Sequence, residues 1–543
     1  MMLLAGSRRR SRRSRSADLR SIEAMLPGIV GSLAVVVLLC AVVVFSVEAP
    51  RSSIASRLYS SVDLFTGAYL PLADQEDNPS RAMAWVGLAA LVVTFTAALT
   101  ALLSLTTQAR EWLRARRAGH DLVVIGSGGP AAEILRSHPR RSTRGLLLVT
   151  GSREGPAALA ARGHAATMVM DLDTLAQDAA ADLRARGGTL AVATDDDALN
   201  IGIAEVLTHR PVPGGKKVMA IVGHPPLADE LRPPVISGDL HMAYGISCPV
   251  ENIAEQICHH LDQALTQDPV LRAAGQGTIA VDRDDEVSSR AIETWVRRFT
   301  WSRSFLRDGS RRRVPLLRMS DEAGPDAAGP VFRVFVGKDP AETAARTLRG
   351  VRLGHADDPR LIAVTSARLI PTTQAGRVVV VDARSAAWDQ RLVFDDIAEQ
   401  WGRVYHSIYC VLFNSFTDWA DVHTGREGQS SIAAGRYMLQ ILDRHGFQLV
   451  KVEGRPSAPA FTAAELTSMA TAEHEEWRLK RTYRDEQDRD VSVVGPRSPY
   501  RMPWEELPEE ARRNNEALVN CTVPALAALF GYEVQRKPGR SAG

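Results

Sequence analysis

Gly126, Gly128 and Ala131 stand at the spacing G-x-G-x-x-A within HDLVVIGSGGPAAEILRS. That spacing suits one chemical task, holding a phosphate group against main chain. Gly126 permits a tight turn, Gly128 lets the backbone approach a pyrophosphate, and Ala131 is small enough for close helix–strand packing. Ser127 and Gly129 complete the turn, whose helix N-terminus faces the phosphates. A lone match of this kind is weak, but residues 122–125 form the apolar strand it requires, and a helical stretch follows.

Other chemistries find no support. His474-Glu475 lacks the second histidine of a zincin helix, and His259 and His260 are adjacent, so they point to different sides of a helix. Neither a G-x-S-x-G elbow nor a P-loop lysine motif occurs. The five cysteines, Cys40, Cys248, Cys258, Cys410 and Cys521, form no Cys-x-x-Cys pair, so reduced, isolated thiols are expected. The expectation is no catalytic site, no metal site and no enzyme.

The turn needs a sheet to hold it. Apolar runs at 146–149, 166–170, 190–193 and 218–222 continue the strand series, with helical stretches between them. Alternating strands and helices mean a parallel, doubly wound α/β sheet. The same rhythm recurs from about 277 to 412. Strands are expected at 278–281, 315–318, 332–336, 361–364 and 378–381, and helices at 285–298 and 341–348. No glycine turn follows its first strand, so a second, degenerate Rossmann-like domain without a dinucleotide is expected.

Strand–GSGG–helix, then MDLDT, then LAVATDDDALNIGIAEVL resembles the TrkA N-terminal (TrkA-N, or RCK) domain, which regulates potassium transport. Asp171 matches the acid after the third strand, although Met170 replaces a glycine. Thr194, Asp196, Asp197 and Asn200 match the motif after the fourth. The resemblance implies a nucleotide site at Gly126, Ser127, Gly128, Gly129, Ala131, Arg153, Asp171, Thr194, Asp196 and Asn200. It implies NAD(H) or an adenine nucleotide as ligand. The ribose-binding acid expected at the end of the second strand is missing, and Thr150-Gly151-Ser152-Arg153 stands there. Either Arg153 favours a phosphorylated ribose or the site has lost its ligand.

Beyond residue 463 the chain resembles the RyR domain of ryanodine receptors. The matching residues are His474, Glu475 and Trp477, then Pro503, Trp504, Leu507, Pro508, Arg512 and Asn515, then Phe530-Gly531-Tyr532. The Gly-Trp-x-Tyr-Gly segment of the animal versions is replaced by KRTYRDEQDRD. His474 and Trp477 share one helix face. With Arg512 and Asn515 they could line a pocket in which Trp stacks a base and Arg pairs a phosphate. Alternatively, the tryptophans are core and Arg512 is a surface ion pair.

Upstream, residues 27–47 and 82–108 carry no charge. About 21 apolar residues give roughly 31 Å of helix, enough for a hydrocarbon core of about 30 Å. The first run exceeds a signal-peptide core of about 7–15 residues, so two retained membrane helices are expected. Arginines before the first run and after the second place both termini in the cytoplasm. Between them no potassium filter of the TVGYG kind occurs. The intervening stretch is expected to be an extracellular loop, with a short amphipathic helix over residues 52–65 as the other option.

The expected organisation is therefore a basic segment 1–24, membrane helices 25–48 and 82–108 around a loop 49–81, and a nucleotide-binding Rossmann domain 119–265. A degenerate Rossmann-like domain 275–412 and a small, mainly helical RyR-like domain 460–535 follow. A net charge of +2 on 543 residues gives no case for nucleic acid. The expected partners are a lipid bilayer, a nucleotide, and further copies of the chain in a dimer or tetramer. The expected function is a multi-pass cell-membrane protein that senses nucleotides and acts as a channel or cation-transport regulator. Two alternatives remain open, a membrane effector of a nucleotide-signalling or defence pathway and a membrane-tethered oxidoreductase.

Overall fold

The computed structural model describes residues 33–47, 53–66, 81–82, 84–98, 120–138, 145–152, 154–161, 165–169, 171–172, 185–209, 217–231, 244–267, 276–309, 316–322, 332–353, 360–365, 369–370, 378–395, 397–413, 417, 419–422, 425–479, 482–484, 490–492 and 501–538. The chain divides into two units, residues 1–114 and 115–543.

In the first unit, helices occupy 33–47, Ile54–Thr66 and 84–98. Ala41, Phe45, Leu64 and Ala90 form a small shared core, and Thr94 Oγ1 donates to the Phe65 carbonyl at 3.0 Å. Among the described residues no helix is long and apolar enough to cross a membrane. This overturns the spans expected at 25–48 and 82–108. The multi-pass membrane location and the assignment of termini that depended on those spans fall with them. The described helix at 33–47 and at 84–98 covers about 22 Å each, against a hydrocarbon core of about 30 Å, and residues 25–32, 48, 83 and 99–108 of the expected spans lie outside the described residues.

The second unit is α/β. Its first sheet comprises β1 (His120–Ile125), β2 (Leu146–Thr150), β3 (Ala166–Val169), β4 (Ala185–Val192), β5 (Lys217–Ile221) and β6 (Gly245–Ser247). The strand order is β3-β2-β1-β4-β5-β6, all parallel. This is the Rossmann order, in which the direction of strand succession reverses between β1 and β4. Strands such as LLLVT at β2 are buried along their whole length, as a sheet covered on both faces requires. Helices Gly129–Ser137 and Pro156–Ala161 cover one face, and helix Asp197–His209 packs on the other through Ile203, Ala204 and Leu207.

The second sheet holds β7 (Gln276–Asp282), β8 (Leu316–Met319), β9 (Phe332–Phe335), β10 (Arg360–Thr365) and β11 (Val378–Asp382). It is parallel, in the order β11-β10-β9-β7-β8. Read from the other edge, this is the 2-1-3-4-5 doubly wound order.

Two short antiparallel ladders follow. Strand β12 (Phe447–Lys451) pairs not with β13 (Thr482–Arg484) or β14 (Asp490–Ser492), which pair together, but with β15 (Tyr532–Arg536). The C-terminal helices Ala463–Leu479 and Glu509–Leu529 share one apolar core with β7–β9 and with helices Ile397–Phe413 and Arg426–Arg444. At its centre Phe530 stacks on Trp401 at 4.9 Å and meets Trp295 edge-on at 6.0 Å.

Polar clamps join this body to the first sheet. Arg298 donates to both carboxylate oxygens of Asp229 at 3.0 and 3.1 Å, and Lys451 approaches the same carboxylate at 3.2 Å. Burial alone would raise the Asp229 carboxyl pKa, but the two cations outweigh it and hold the pKa below the usual value.

Candidate functional site

The glycine turn lies where the sheet order predicts a ligand crevice, at the C-terminal end of β1 beside β4. Gly126 donates to the Val149 carbonyl at 2.9 Å, tying the turn to β2. A Cβ on Gly126 would stand 2.3 Å from the Ala193 carbonyl oxygen, which is rigid main chain, so no side chain fits there. Ser127 is half-buried, and its carbonyl accepts from Ala157 at 3.3 Å. Ala131 is fully buried against the strands, as close packing at that position demands.

Residues 194–200 spend most of their hydrogen bonds within the fold. The Asn200 Oδ1 accepts from Thr194 N and Thr194 Oγ1, both at 2.7 Å. Its Nδ2 donates to the carbonyls of Ile221 at 2.7 Å and Thr194 at 3.2 Å. Asp196 Oδ1 accepts from the amides of Ala198 at 2.9 Å and Leu199 at 3.2 Å, an N-terminal cap on helix Asp197–His209. Asp197 accepts from Gly223 N at 2.7 Å and His224 N at 2.9 Å, joining this loop to the end of β5. Thr194, Asp196 and Asn200, expected to touch a nucleotide, here shape the crevice wall.

The remaining acid of the run behaves differently. Asp195 is exposed and reaches back across the sheet to the turn. Its Oδ1 accepts from Gly129 N, the first helical amide, at 3.1 Å. A Cβ on Gly128 would lie 1.8 Å from its Oδ2. Gly128 makes no side-chain cap of its own, so Asp195 supplies the anion that a helix N-terminus attracts. Three consecutive acids after β4 were visible in the sequence. The family motif used only the second and third, which left Asp195 without a role.

Two expected ligand residues stand apart from this arrangement. Arg153 lies outside the described residues. Asp171 is exposed and follows β3, the edge strand two places from β1. At the end of β2, Thr150 Oγ1 donates to the Ser152 carbonyl at 3.1 Å and accepts from Ser152 N at 3.3 Å, a tight turn where a ribose-binding acid was sought.

The C-terminal candidates divide as well. His474, Trp477 and Asn515 line one cavity of about 650 Å³, whereas Arg512 is not among its lining residues. His474 is 2% exposed, and its Nε2 donates to the Met502 carbonyl at 2.9 Å, so it ties the helix to a following loop. Glu475 accepts from Trp504 N at 3.1 Å. Trp504 is core. Sequence reasoning missed Arg426, Tyr405 and Tyr409, which reach the same cavity from helices outside the RyR-like segment.

No family model matches the chain, and no curated protein matches it. The RyR resemblance therefore gains no support from these comparisons. Among solved structures, the chain is similar to a crystal structure of GsuK bound to ADP, with 14% identity and a TM-score of 0.30. That match covers 68% of this chain and 97% of the other. It is also similar to a structure titled GsuK channel, with 12% identity and a TM-score of 0.33, covering 83% of this chain and 90% of the other. At these scores the likeness carries no argument about function.

Proposed function

We propose that the chain is a nucleotide-responsive regulator of potassium or other cation transport, with NAD(H) or an adenine nucleotide held at the Gly126–Gly129 turn. The observation that carries the reading is the placement of that turn. The order β3-β2-β1-β4-β5-β6 sets it at the switch point, where open α/β sheets bind ligands. The transport half of the reading is supported by the TrkA-N resemblance of residues 121–265. A symmetric dimer or tetramer would let a ligand bias one assembly state over another by its difference in affinity.

The test is a thermal-shift screen of the full chain against NAD, NADH, ATP and ADP. A ligand at one hundred times its dissociation constant adds about 2.7 kcal/mol. Potassium uptake by cells with and without the chain then tests the transport half. A folded chain that none of the four nucleotides stabilises overturns the nucleotide reading. Unchanged potassium uptake overturns the other half.

Asp195 favours a second reading. An internal carboxylate on the turn can replace the ligand outright, which leaves the sheet as an assembly scaffold. Under that reading, removing the carboxylate creates no nucleotide affinity.

A further inference from the structure

The cavity of about 650 Å³ lies within the range of about 300–1,000 Å³ typical of small-molecule sites. Four helices build it. Tyr405 and Tyr409 come from one face of helix Ile397–Phe413, being four residues apart. Trp477 comes from helix Ala463–Leu479, and Asn515 from helix Glu509–Leu529. Arg426 opens helix Arg426–Arg444, and that helix's first turn borders the cavity.

Two of these groups lack the partners their chemistry calls for. The Asn515 Nδ2 is buried and makes no hydrogen bond. A buried amide donor left unmade costs about 1–3 kcal/mol, so the position calls for an acceptor from outside the chain. Arg426 is exposed at the cavity edge and has no partner among the described residues. Beside it, Gly425 gives the helix no side-chain cap, so the first turn that borders the cavity carries uncapped amides and the positive end of the helix dipole. Arg426 and this first turn suit an anion, with Glu427 of the same turn also on the wall. Glu473, 4% exposed, lines the cavity as well and disfavours a phosphate beside it. The rings of Trp477, Tyr405 and Tyr409 offer stacking surfaces for a flat base.

We propose that this cavity binds a purine 5′-nucleotide, with its phosphate on Arg426 and the helix N-terminus and its base among Trp477, Tyr405 and Tyr409, read by Asn515. An asparagine amide is both donor and acceptor, which matches the amine and ring nitrogen on one edge of adenine. The site is independent of the glycine turn and does not need it to be occupied.

Calorimetry on the full chain with AMP, GMP and adenosine tests this assignment. At least one of the two nucleotides should bind. Adenosine should bind at least tenfold more weakly than AMP, because it lacks the phosphate. Arg426→Gln, an exposed change that leaves the core intact, should weaken nucleotide binding at least tenfold and leave adenosine unaffected. Asn515→Leu should weaken nucleotide and nucleoside together. Three results overturn the proposal. One is no saturable binding of either nucleotide. Another is nucleotide binding that Gly128→Val abolishes and Arg426→Gln leaves intact, which belongs to the glycine turn. The third is tetramethylammonium binding in place of the nucleotides, which makes the rings and Glu473 a cation site.

Discussion

Asp195 sits on Gly129, its Oδ1 accepting the glycine amide hydrogen at 3.1 Å across 66 residues of sequence. A phosphate approaching that amide must displace a carboxylate of like charge. Asp195→Ala is therefore expected to raise the affinity for any nucleotide at the turn, by about tenfold for one unfavourable contact of ~1.4 kcal/mol. The same change removes an anion from a helix N-terminus and should lower stability by about 0.5 kcal/mol. Calorimetry with ADP or NADH measures the first effect, and chemical denaturation the second. Weaker binding in the variant would mean that Asp195 helps to hold the ligand.

Two glycines of the turn should respond differently to substitution. At Gly126 a Cβ meets the Ala193 carbonyl at 2.3 Å, and main chain there cannot move alone. Gly126→Ala should cost about 3 kcal/mol of stability. At Gly128 the obstructing group is the exposed Asp195 side chain, which can swing aside. Gly128→Val should leave stability within about 1 kcal/mol and abolish nucleotide binding at the turn, leaving the helical cavity's binding unchanged, because the valine fills the approach to the pyrophosphate. Thermal unfolding and ligand titration of both variants check the contrast. Equal stability losses would contradict it.

Asn200 is a brace, so its loss should appear in stability. All its polar capacity is used between the β4 loop and the end of β5. Asn200→Ala strands the buried groups of Thr194 and Ile221 and should cost about 3 kcal/mol. Denaturant melts give the value directly. A variant of undiminished stability with lost nucleotide binding would return Asn200 to the ligand site.

Glu465 should make the C-terminal region sensitive to acid. Thr462 and Glu465 form a reciprocal cap: Glu465 Oε2 accepts from Thr462 N at 2.8 Å, and Thr462 Oγ1 accepts from Glu465 N at 3.2 Å. Arg536 of β15 donates to the same carboxylate at 3.0 Å. The hydrogen bonds from Arg536, ahead of the Thr462 contacts, lower the Glu465 pKa from 4.5 to about 2. A depressed carboxylate contributes stability that is present above pH 4.5 and lost as pH falls towards 2. Glu465→Gln should lower stability at neutral pH, by an amount limited by solvent screening of this partly exposed pair, and flatten the pH dependence across that window. Melts between pH 2 and 7 distinguish this from a purely structural loss, which would shift the curve without changing its slope.

The sequence by itself determined the parallel α/β sheets and the glycine turn, because both follow from local pattern. Runs such as LVVI at β1 and LLLV at β2 are too apolar for anything but a strand buried on both faces, and G-x-G-x-x-A fixes a turn within six residues. Lack of charge in the upstream runs permits a membrane span without setting the extent of helix, and among the described residues no helix is long and apolar enough to cross. What lies against what was decided by tertiary structure alone. Asp195 reaches Gly129 because β1 and β4 are hydrogen-bonded neighbours, so the loops that follow them emerge side by side. Arg426, and not Arg512, reaches the cavity because a helix outside the RyR-like segment packs into the same core. Periodicity assigns a residue to a face of its own element. The element across from it is set by the packing of distant segments, which no local window of sequence contains.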